Sequence, residues 1–182
     1  MVTSTNALVG LEEYLSTSYT PDVEYKNGEL VRRNVGTQKH GTLQMIIGAY
    51  ILSLRSEFRM IKGFVETRLR ISRERYVVPD VMVVERPYQP GSVVTDVPAV
   101  VIEVKSPTDR FDEIIDKCFE YEALGISNIV VIDPDSRRQF VFSGDALQSV
   151  PALIRLHLSK SNVDFDLPMD QIFETLDKDE ND

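Results

Sequence analysis

Residues 97–109, VPAVVIEVKSPTD, join an apolar run typical of a central β-strand to two ionisable side chains, Glu103 and Lys105. A strand this apolar is usually covered on both faces, where an ionised group is seldom left without a partner or a metal. Side chains two apart in a strand share a face, so Glu103 and Lys105 point the same way, roughly 7 Å apart along the strand. The stretch therefore predicts both the centre of a sheet and a polar site at its end.

A third ionisable residue, Asp80, follows Pro79 in the extended stretch 76–85, YVVPDVMVVE. Proline lacks an N–H and has a fixed φ, which favours a strand edge or a local bend here. If strands 76–85 and 97–106 are neighbours, Asp80 and Glu103 converge at one end of the sheet. The residues alone leave a simpler alternative open: Glu103 and Lys105 could pair with each other, and Asp80 could be a turn residue.

The three side chains together suit metal-assisted hydrolysis of a phosphate ester. Two carboxylates, with a backbone carbonyl and waters, are ligands that Mg²⁺ or Mn²⁺ prefers. A metal so placed lowers the pKa of a bound water and stabilises charge on a phosphoryl group. As an ammonium, Lys105 could position the attacking water and offset the charge that develops; as a neutral amine, it could deprotonate the water.

The remaining pattern predicts an α/β domain with a mixed central sheet and helices on its faces. Asn27-Gly28 between two short strands is a strong hairpin signal. Helices are predicted at 7–16, 38–57 and 109–124, the last capped by Asp109 and ended by Gly125, and further strands at 63–72, 76–85, 97–106, 128–134 and 138–143. This order predicts one parallel crossover, through helix 109–124.

The chain has 182 residues, a length typical of one domain, and a formal net charge of −9. Residues 164–182 hold eight acidic residues and one lysine. We therefore expect a domain at 1–163 and an acidic C-terminal segment at 164–182, partly disordered or docked on a second subunit. Residues 55–75 hold seven basic residues against three acidic ones, which is compatible with nucleic acid and also with a solvated surface.

Cysteine content and hydropathy bear on the compartment. Cys118 is the only cysteine, so no internal disulfide and no zinc site built from cysteines can form. It falls on the apolar face of helix 109–124 and is expected to be inert core. No apolar run reaches the length of a membrane span, and residues 1–15 lack the basic start of a signal peptide. We expect a cytoplasmic protein with no membrane partner.

The motif Asp…Glu-x-Lys, with a proline before the aspartate, resembles that of the PD-(D/E)xK nuclease superfamily. A wider set of stretches, namely VEYKNGELV, His40 opening a long helix, VPDVMVVE, VIEVKSPTDR, DKCFEYEALGI and VVIDP, resembles the Uma-type restriction endonucleases, formerly a family of unknown function. The resemblance covers about residues 10–142. It implies a restriction-endonuclease-like fold and hydrolysis of DNA phosphodiesters that depends on a divalent metal. Relatives often carry a tryptophan before the VIDP-like stretch, and this chain has none.

Carried over by position, the resemblance implies that Asp80 and Glu103 are the metal-binding acids and that Lys105 is the catalytic lysine. Lys117 and Tyr121 match a lysine and a tyrosine that recur on the following helix, and they lie four apart on one helix face. Lys117 is therefore a further catalytic candidate and Tyr121 an accessory one. Lys117 could equally extend past the edge of the core to solvent.

Two N-terminal residues, Glu29 and His40, match positions of the family pattern with less defined roles. Glu29 could reach the metal as a further acid, or pair across the hairpin with Lys26. His40, near a helix start, could be an accessory site residue or a polar neighbour of the helix cap.

These residues lead to a first hypothesis, an Mg²⁺-dependent endonuclease that acts on DNA as a homodimer, the dimer by analogy with small nucleases. The second is a non-catalytic module that keeps the fold and binds nucleic acid or a partner. The acidic net charge favours the second hypothesis, and the intact Asp…Glu-x-Lys set favours the first. RNA or branched DNA as the substrate stays open.

Overall fold

The computed structural model describes residues 8–34, 36–54 and 57–181. The helices are α1 (Leu11–Ser16), α2 (Gln38–Ser53), α3 (Phe111–Leu124) and α4 (Met169–Asn181). The strands are β1 (Val23–Lys26), β2 (Glu29–Arg32), β3 (Ile61–Val65), β4 (Leu69–Ser72), β5 (Arg75–Val77), β6 (Val81–Glu85), β7 (Val100–Val104), β8 (Asn128–Asp133), β9 (Arg138–Ser143), β10 (Ala146–Ser149), β11 (Leu153–Leu158) and β12 (Val163–Pro168). None of these helices is long and apolar enough to cross a membrane.

The central sheet has six strands in the order β10-β9-β8-β7-β6-β3. β7 and β8 pair in parallel through the crossover helix α3, and the other neighbours are antiparallel. Every residue of β7 is buried. The mixed central sheet, the single parallel crossover and the central place of β7 are confirmed.

The two faces of the sheet are covered by different elements. On one face, Val81 and Val83 pack with α2, α4 and the β11–β12 hairpin. On the other, Met82 and Val84 pack with α3. Cys118 is fully buried in this second layer, and burial raises the pKa of its thiol to about 12, as expected of inert core. Alternation along the strands thus decides which side chains face α3.

The two strands predicted at 63–72 and 76–85 are each divided between two sheets. β4 and β5 belong to a small sheet of order β2-β1-β5-β4, whereas β3 and β6 belong to the central sheet. The chain bends at Glu66, where φ is 44°, and again at Pro79, which lacks the N–H that a continuous ladder needs. The predicted hairpin is confirmed, since Asn27 and Gly28 both have positive φ between β1 and β2.

Helix ends differ from the prediction in places. α1 begins at Leu11, and residues 1–7 lie outside the described part of the chain. α2 ends at Ser53. Asp109 does not cap α3: Arg110 is the N-cap, and Asp109 instead accepts a 2.6 Å hydrogen bond from the Ser106 N–H in the turn after β7. Gly125 ends α3 in a left-handed conformation, as predicted.

Residues 164–181 of the acidic C-terminal segment are part of the packed fold. They contribute most of β12 and all of α4, whose Ile172, Phe173 and Leu176 are buried against the central sheet. These apolar residues recur at helical spacing between the acids, so one face of α4 packs on the core while Asp170, Glu174, Asp177 and Asp179 are exposed on the other. The acidic composition of this segment therefore comes largely from the exposed face of α4.

Candidate active site

A cleft of about 510 Å³ lies between the end of β7, the first half of α3 and the small sheet. Its lining includes Asp80, Glu103, Lys105 and Lys117. The cleft thus contains all four residues that the sequence singles out as catalytic.

Asp80 and Glu103 lie opposite each other at the ends of two neighbouring strands. β6 and β7 pair antiparallel with Val81 opposite Ile102, so the next position outward sets Asp80 against Glu103. Both side chains alternate to the α3 face of the sheet. Both are buried, with 4% and 8% of their surface exposed. The structure therefore brings the two acids together, within electrostatic reach of each other.

The Asp80 carboxylate is held by four donors. Oδ1 accepts hydrogen bonds from Arg33 Nη2 at 3.1 Å and from Gln44 Nε2 at 2.9 Å. Oδ2 accepts one from the Val104 N–H at 2.6 Å and lies 3.3 Å from His40 Nε2. Burial opposes ionisation, yet the hydrogen bond and charge of His40, the charge of Lys117 and the Val104 N–H together outweigh it and lower the pKa of Asp80. Asp80 is therefore an anion whose roughly four acceptor positions are filled by the protein.

His40 reaches the site from the first turn of α2, where its N–H is capped by the Thr37 hydroxyl at 3.2 Å. Burial lowers the pKa of its imidazole, but the Asp80 carboxylate and the Val104 backbone raise it more, so the net direction is upward. His40 is therefore both a cap neighbour and a contact of Asp80.

Glu103 differs from Asp80 in that its pKa is raised and one of its oxygens is left open by the described residues. Its Oε1 accepts a short hydrogen bond from the Tyr121 hydroxyl and lies 3.0 Å from Lys117 Nζ. Oε2 receives no hydrogen bond from the described residues. Burial raises the pKa of Glu103 to about 7; Lys117 lowers it and the Asp80 charge raises it. Glu103 therefore exchanges a proton near neutral pH.

Lys117 bridges Glu103 to a residue that the sequence analysis missed, Glu24 of β1. The ammonium lies 3.0 Å from an oxygen of each acid. Burial would lower the pKa of Lys117, but the two acids raise it above its usual range, so the side chain stays charged. Glu24 is 5% exposed, its other oxygen is 2.9 Å from Arg75, and Oε1 also accepts the Val78 N–H at 3.2 Å. The buried pattern of Val23-Glu24-Tyr25 could not be read from the hairpin signal alone.

Lys105 lines the cleft but is not paired with an acid among the described residues. Its ammonium is 3.4 Å from the Ser106 carbonyl oxygen and 5.5 Å from the centre of the Phe111 ring. The simple Glu103–Lys105 pair is therefore absent here, because Lys117 takes that position. Glu29 is exposed opposite Lys26 in the hairpin and does not line the cleft, so the structure does not bring it to the site.

The donor set of the cleft meets part of what a divalent cation requires. Within residues 8–34, 36–54 and 57–181, no three His, Cys, Asp or Glu side chains are grouped closely enough to hold a metal by themselves. Two carboxylates with main-chain and water oxygens fit one hard cation such as Mg²⁺. Glu103 Oε2 is available for it. Asp80 must exchange one donor, and Arg33, with 17% of its side chain exposed, is more accessible than His40 at 8%.

Comparisons with known proteins agree with this fold. A family model, Uma2, described as "Putative restriction endonuclease", matches residues 11–169. A crystal structure of "a putative nuclease belonging to DUF820" from Anabaena variabilis ATCC 29413 superposes with a TM-score of 0.75 at 21% identity, covering 92% of this chain and 99% of that one. No curated protein matches the chain. The structural likeness confirms the predicted fold class.

Proposed function

The chain belongs to the Uma2 family, described as "Putative restriction endonuclease", and from this premise we propose that it is an endonuclease that hydrolyses DNA phosphodiester bonds with a divalent metal. The family description and the structural neighbour support the general part of this proposal, that the chain is a nuclease. The observation that carries the proposed metal-dependent hydrolysis of DNA is the buried pair Asp80 and Glu103, opposite each other in the lining of a cleft that also holds two lysines.

Asp80 and Glu103 would hold Mg²⁺ or Mn²⁺. When bound, such an ion stabilises negative charge on the phosphoryl group and lowers the pKa of a bound water. Val104 N–H, Gln44 and His40 would keep the Asp80 carboxylate in a fixed orientation if the metal displaced Arg33. Tyr121 does the same for Glu103, since burial raises the pKa of its phenol and keeps it a hydrogen-bond donor.

The two lysines have different tasks in this proposal. Lys105 is two residues from Glu103 on the same face. Among the described residues, its ammonium contacts only the Ser106 carbonyl oxygen, at 3.4 Å, and the Phe111 ring. Lys105 is free to turn towards the attacking water, where it would position the water as an ammonium or deprotonate it as a neutral amine. Lys117 is fixed by two acids and offsets negative charge as it grows on the phosphate.

DNA as substrate has to be reconciled with a net charge of −9. The acids of α4 lie on an element that packs on the face of the sheet opposite to α3, away from the cleft. Basic side chains border the cleft itself, namely Lys26, Arg32, Arg33 and Arg75 in addition to the two lysines. Acids on the α3 side, among them Asp109 and Glu113, border it too. The cleft lining therefore holds six lysine and arginine side chains against eight aspartate and glutamate side chains, so phosphate binding there would depend on the bound divalent cation.

We also propose a homodimer, so that two sites can act on two strands. β3 is an outer strand of the central sheet, and beside it α2 exposes Met45 and Leu52, 66% and 60% exposed. An outer strand can pair antiparallel with its copy about a two-fold axis. The proposed compartment is the cytoplasm, because the single cysteine, Cys118, is free and buried.

Incubation of supercoiled plasmid with the protein and Mg²⁺, Mn²⁺ or EDTA tests the assignment. We expect nicking with either metal, none with EDTA, and loss of cleavage in Asp80→Asn and Lys105→Ala. Cleavage that persists in both variants would place the activity elsewhere. Parallel incubations with single-stranded RNA and a branched junction identify the substrate class.

A non-catalytic module that binds nucleic acid or a partner is the second candidate. The saturation of Asp80 by four donors, one of them the Arg33 cation, favours it, because a binding module needs no open metal position. This candidate predicts DNA retention on a gel with no cleavage under any metal.

A further inference from the structure

Glu24 makes contacts that differ from those of an ordinary surface acid. Its two oxygens contact Lys117 at 3.0 Å, Arg75 at 2.9 Å and the Val78 N–H at 3.2 Å. It lies on β1 of the small sheet, outside the Asp…Glu-x-Lys motif, and it lines the same cleft as Glu103. The small sheet thus supplies one buried acid to a centre that otherwise belongs to the central sheet and α3.

The contact between Glu24 and Lys117 changes the balance of charge around Glu103. The Lys117 ammonium is shared equally between Glu24 and Glu103, at 3.0 Å from each. A divalent cation on Glu103 needs the same carboxylate that Lys117 contacts and is repelled by the ammonium. Without a second anion, Lys117 would stay on Glu103 and compete with the cation.

We propose that Glu24 is a positioning residue that keeps the Lys117 ammonium in place while Glu103 binds a divalent cation through Oε2. This inference rests on the proposed function, since it assumes a cation at Glu103. Glu24 acts only through Lys117 and need not touch the metal or the DNA. Arg75 and the Val78 N–H in turn hold the Glu24 carboxylate in its position.

Glu120 provides a matched control. It also pairs with Arg75, at 2.7 Å, and with Lys26 at 3.7 Å, but it does not contact Lys117. Glu120→Gln therefore removes one negative charge from the same cluster and leaves the bridge to Glu103 intact. Any effect of general charge loss or of a freed Arg75 appears in both variants.

The test is Mn²⁺ binding by the full chain, measured by isothermal titration calorimetry without DNA. Glu24→Gln should weaken Mn²⁺ binding about tenfold, as expected for an uncompensated neighbouring cation. Glu120→Gln should change it by less than about twofold. The double variant Glu24→Gln/Lys117→Met removes the competitor together with its anchor, and it should restore affinity to within about threefold of the original. Thermal unfolding verifies that every variant is folded at the assay temperature.

The outcomes separate this inference from its premise. No Mn²⁺ binding by the unsubstituted protein would contradict the proposed function itself. Normal Mn²⁺ binding that Glu24→Gln leaves unchanged would overturn the role of Glu24 alone. A double variant as weak as Glu24→Gln would show that Glu24 supports the fold of the cleft rather than the position of Lys117, and would also overturn the inference.

Discussion

The Val104 N–H donates a 2.6 Å hydrogen bond to Asp80 Oδ2, so the carboxylate that follows Pro79 is tied to the main chain between Glu103 and Lys105. This bond takes the place of a strand ladder that the proline interrupts. This hydrogen bond fixes the position of Asp80 relative to Glu103 and Lys105, and it leaves Glu103 Oε2 available. The bend at Pro79, which divides one predicted strand into two, is therefore the feature that aims Asp80 at its partner strand.

Asp80→Asn should abolish Mn²⁺ binding and lower stability. The amide cannot accept from all four donors and leaves Arg33 and His40 without their anion, so the free energy of unfolding should fall by about 3–5 kcal/mol. Because the pKa of Asp80 is lowered in the folded state, its contribution is present above its unfolded pKa and is lost as pH falls. Urea unfolding at pH 7 and at about pH 2.5, below the ordinary Asp pKa of 3.8, measures both effects.

Glu66→Gln is the control for Asp80→Asn, since Glu66 contacts the same Arg33 and Gln44. Its side chain is 49% exposed, and a surface pair of this kind contributes about 0–1 kcal/mol. Equal destabilisation by the two substitutions would show that the buried charge of Asp80 is not what holds this cluster together.

Metal binding should release a proton from Glu103 below pH 7. The pKa of this acid rises from its ordinary value of 4.5 to about 7 in the folded protein, so the folded state holds the extra proton between these pH values. The contribution of Glu103 to stability accordingly falls as pH rises through this window. Calorimetry at pH 6 in two buffers of different ionisation enthalpy should show proton release, and at pH 8.5 almost none. A buffer-independent enthalpy at pH 6 would contradict the raised pKa.

Lys105→Ala should remove activity and leave the protein folded. Lys105 makes no ion pair with a described residue, so the melting temperature should stay within about 2 °C. The cleavage rate should drop about 10²–10⁴-fold, the usual contribution of a proton-transfer group. Mn²⁺ affinity should be equal or slightly higher, because a nearby cation is gone. A large loss of Mn²⁺ binding would instead make Lys105 a structural part of the metal site.

Leu176→Ala tests the role of the C-terminal helix. Leu176 is fully buried with Ile172 in the core of the central sheet, so its truncation should cost about 2–5 kcal/mol in urea unfolding. Asp170→Ala, on the exposed side of α4, should change stability by less than about 0.5 kcal/mol. Equal, small effects would mean that α4 is dispensable.

Sedimentation equilibrium tests the homodimer. We expect twice the chain mass of 20.7 kDa. Leu52→Glu should yield the monomer, because a charge on this exposed face of α2 must be desolvated at the interface. A monomer without substitution, at concentrations where the protein is active, would contradict the dimer.

Sequence patterns predicted the part of the fold that depends on local alternation and turn chemistry. The apolar run of β7 placed Glu103 and Lys105 on one face, and Asn27-Gly28 placed the hairpin. The division of extended stretches between two sheets was not predictable, because the bend at Glu66 depends on a tertiary context that overrides its propensity. The helix α4 was missed because its acids hid the spacing of its apolar residues.

The residues of the candidate site were likewise predicted only in part. Asp80 and Glu103 were predicted because strand parity and a resemblance agreed on them. Glu24 was missed and Glu29 was chosen instead, although both lie in one hairpin. Which of two acids is buried depends on what packs on the hairpin, here α3 with Lys117. That information lies about ninety residues further along the chain.

A crystal soaked in Mn²⁺ and measured at a wavelength where manganese scatters anomalously would locate the metal and its ligands. We expect one anomalous peak within about 2.0–2.4 Å of a carboxylate oxygen from each of Asp80 and Glu103, with Arg33 moved off Asp80. A peak elsewhere, or no peak while Arg33 still contacts Asp80 at saturating Mn²⁺, would contradict this expectation.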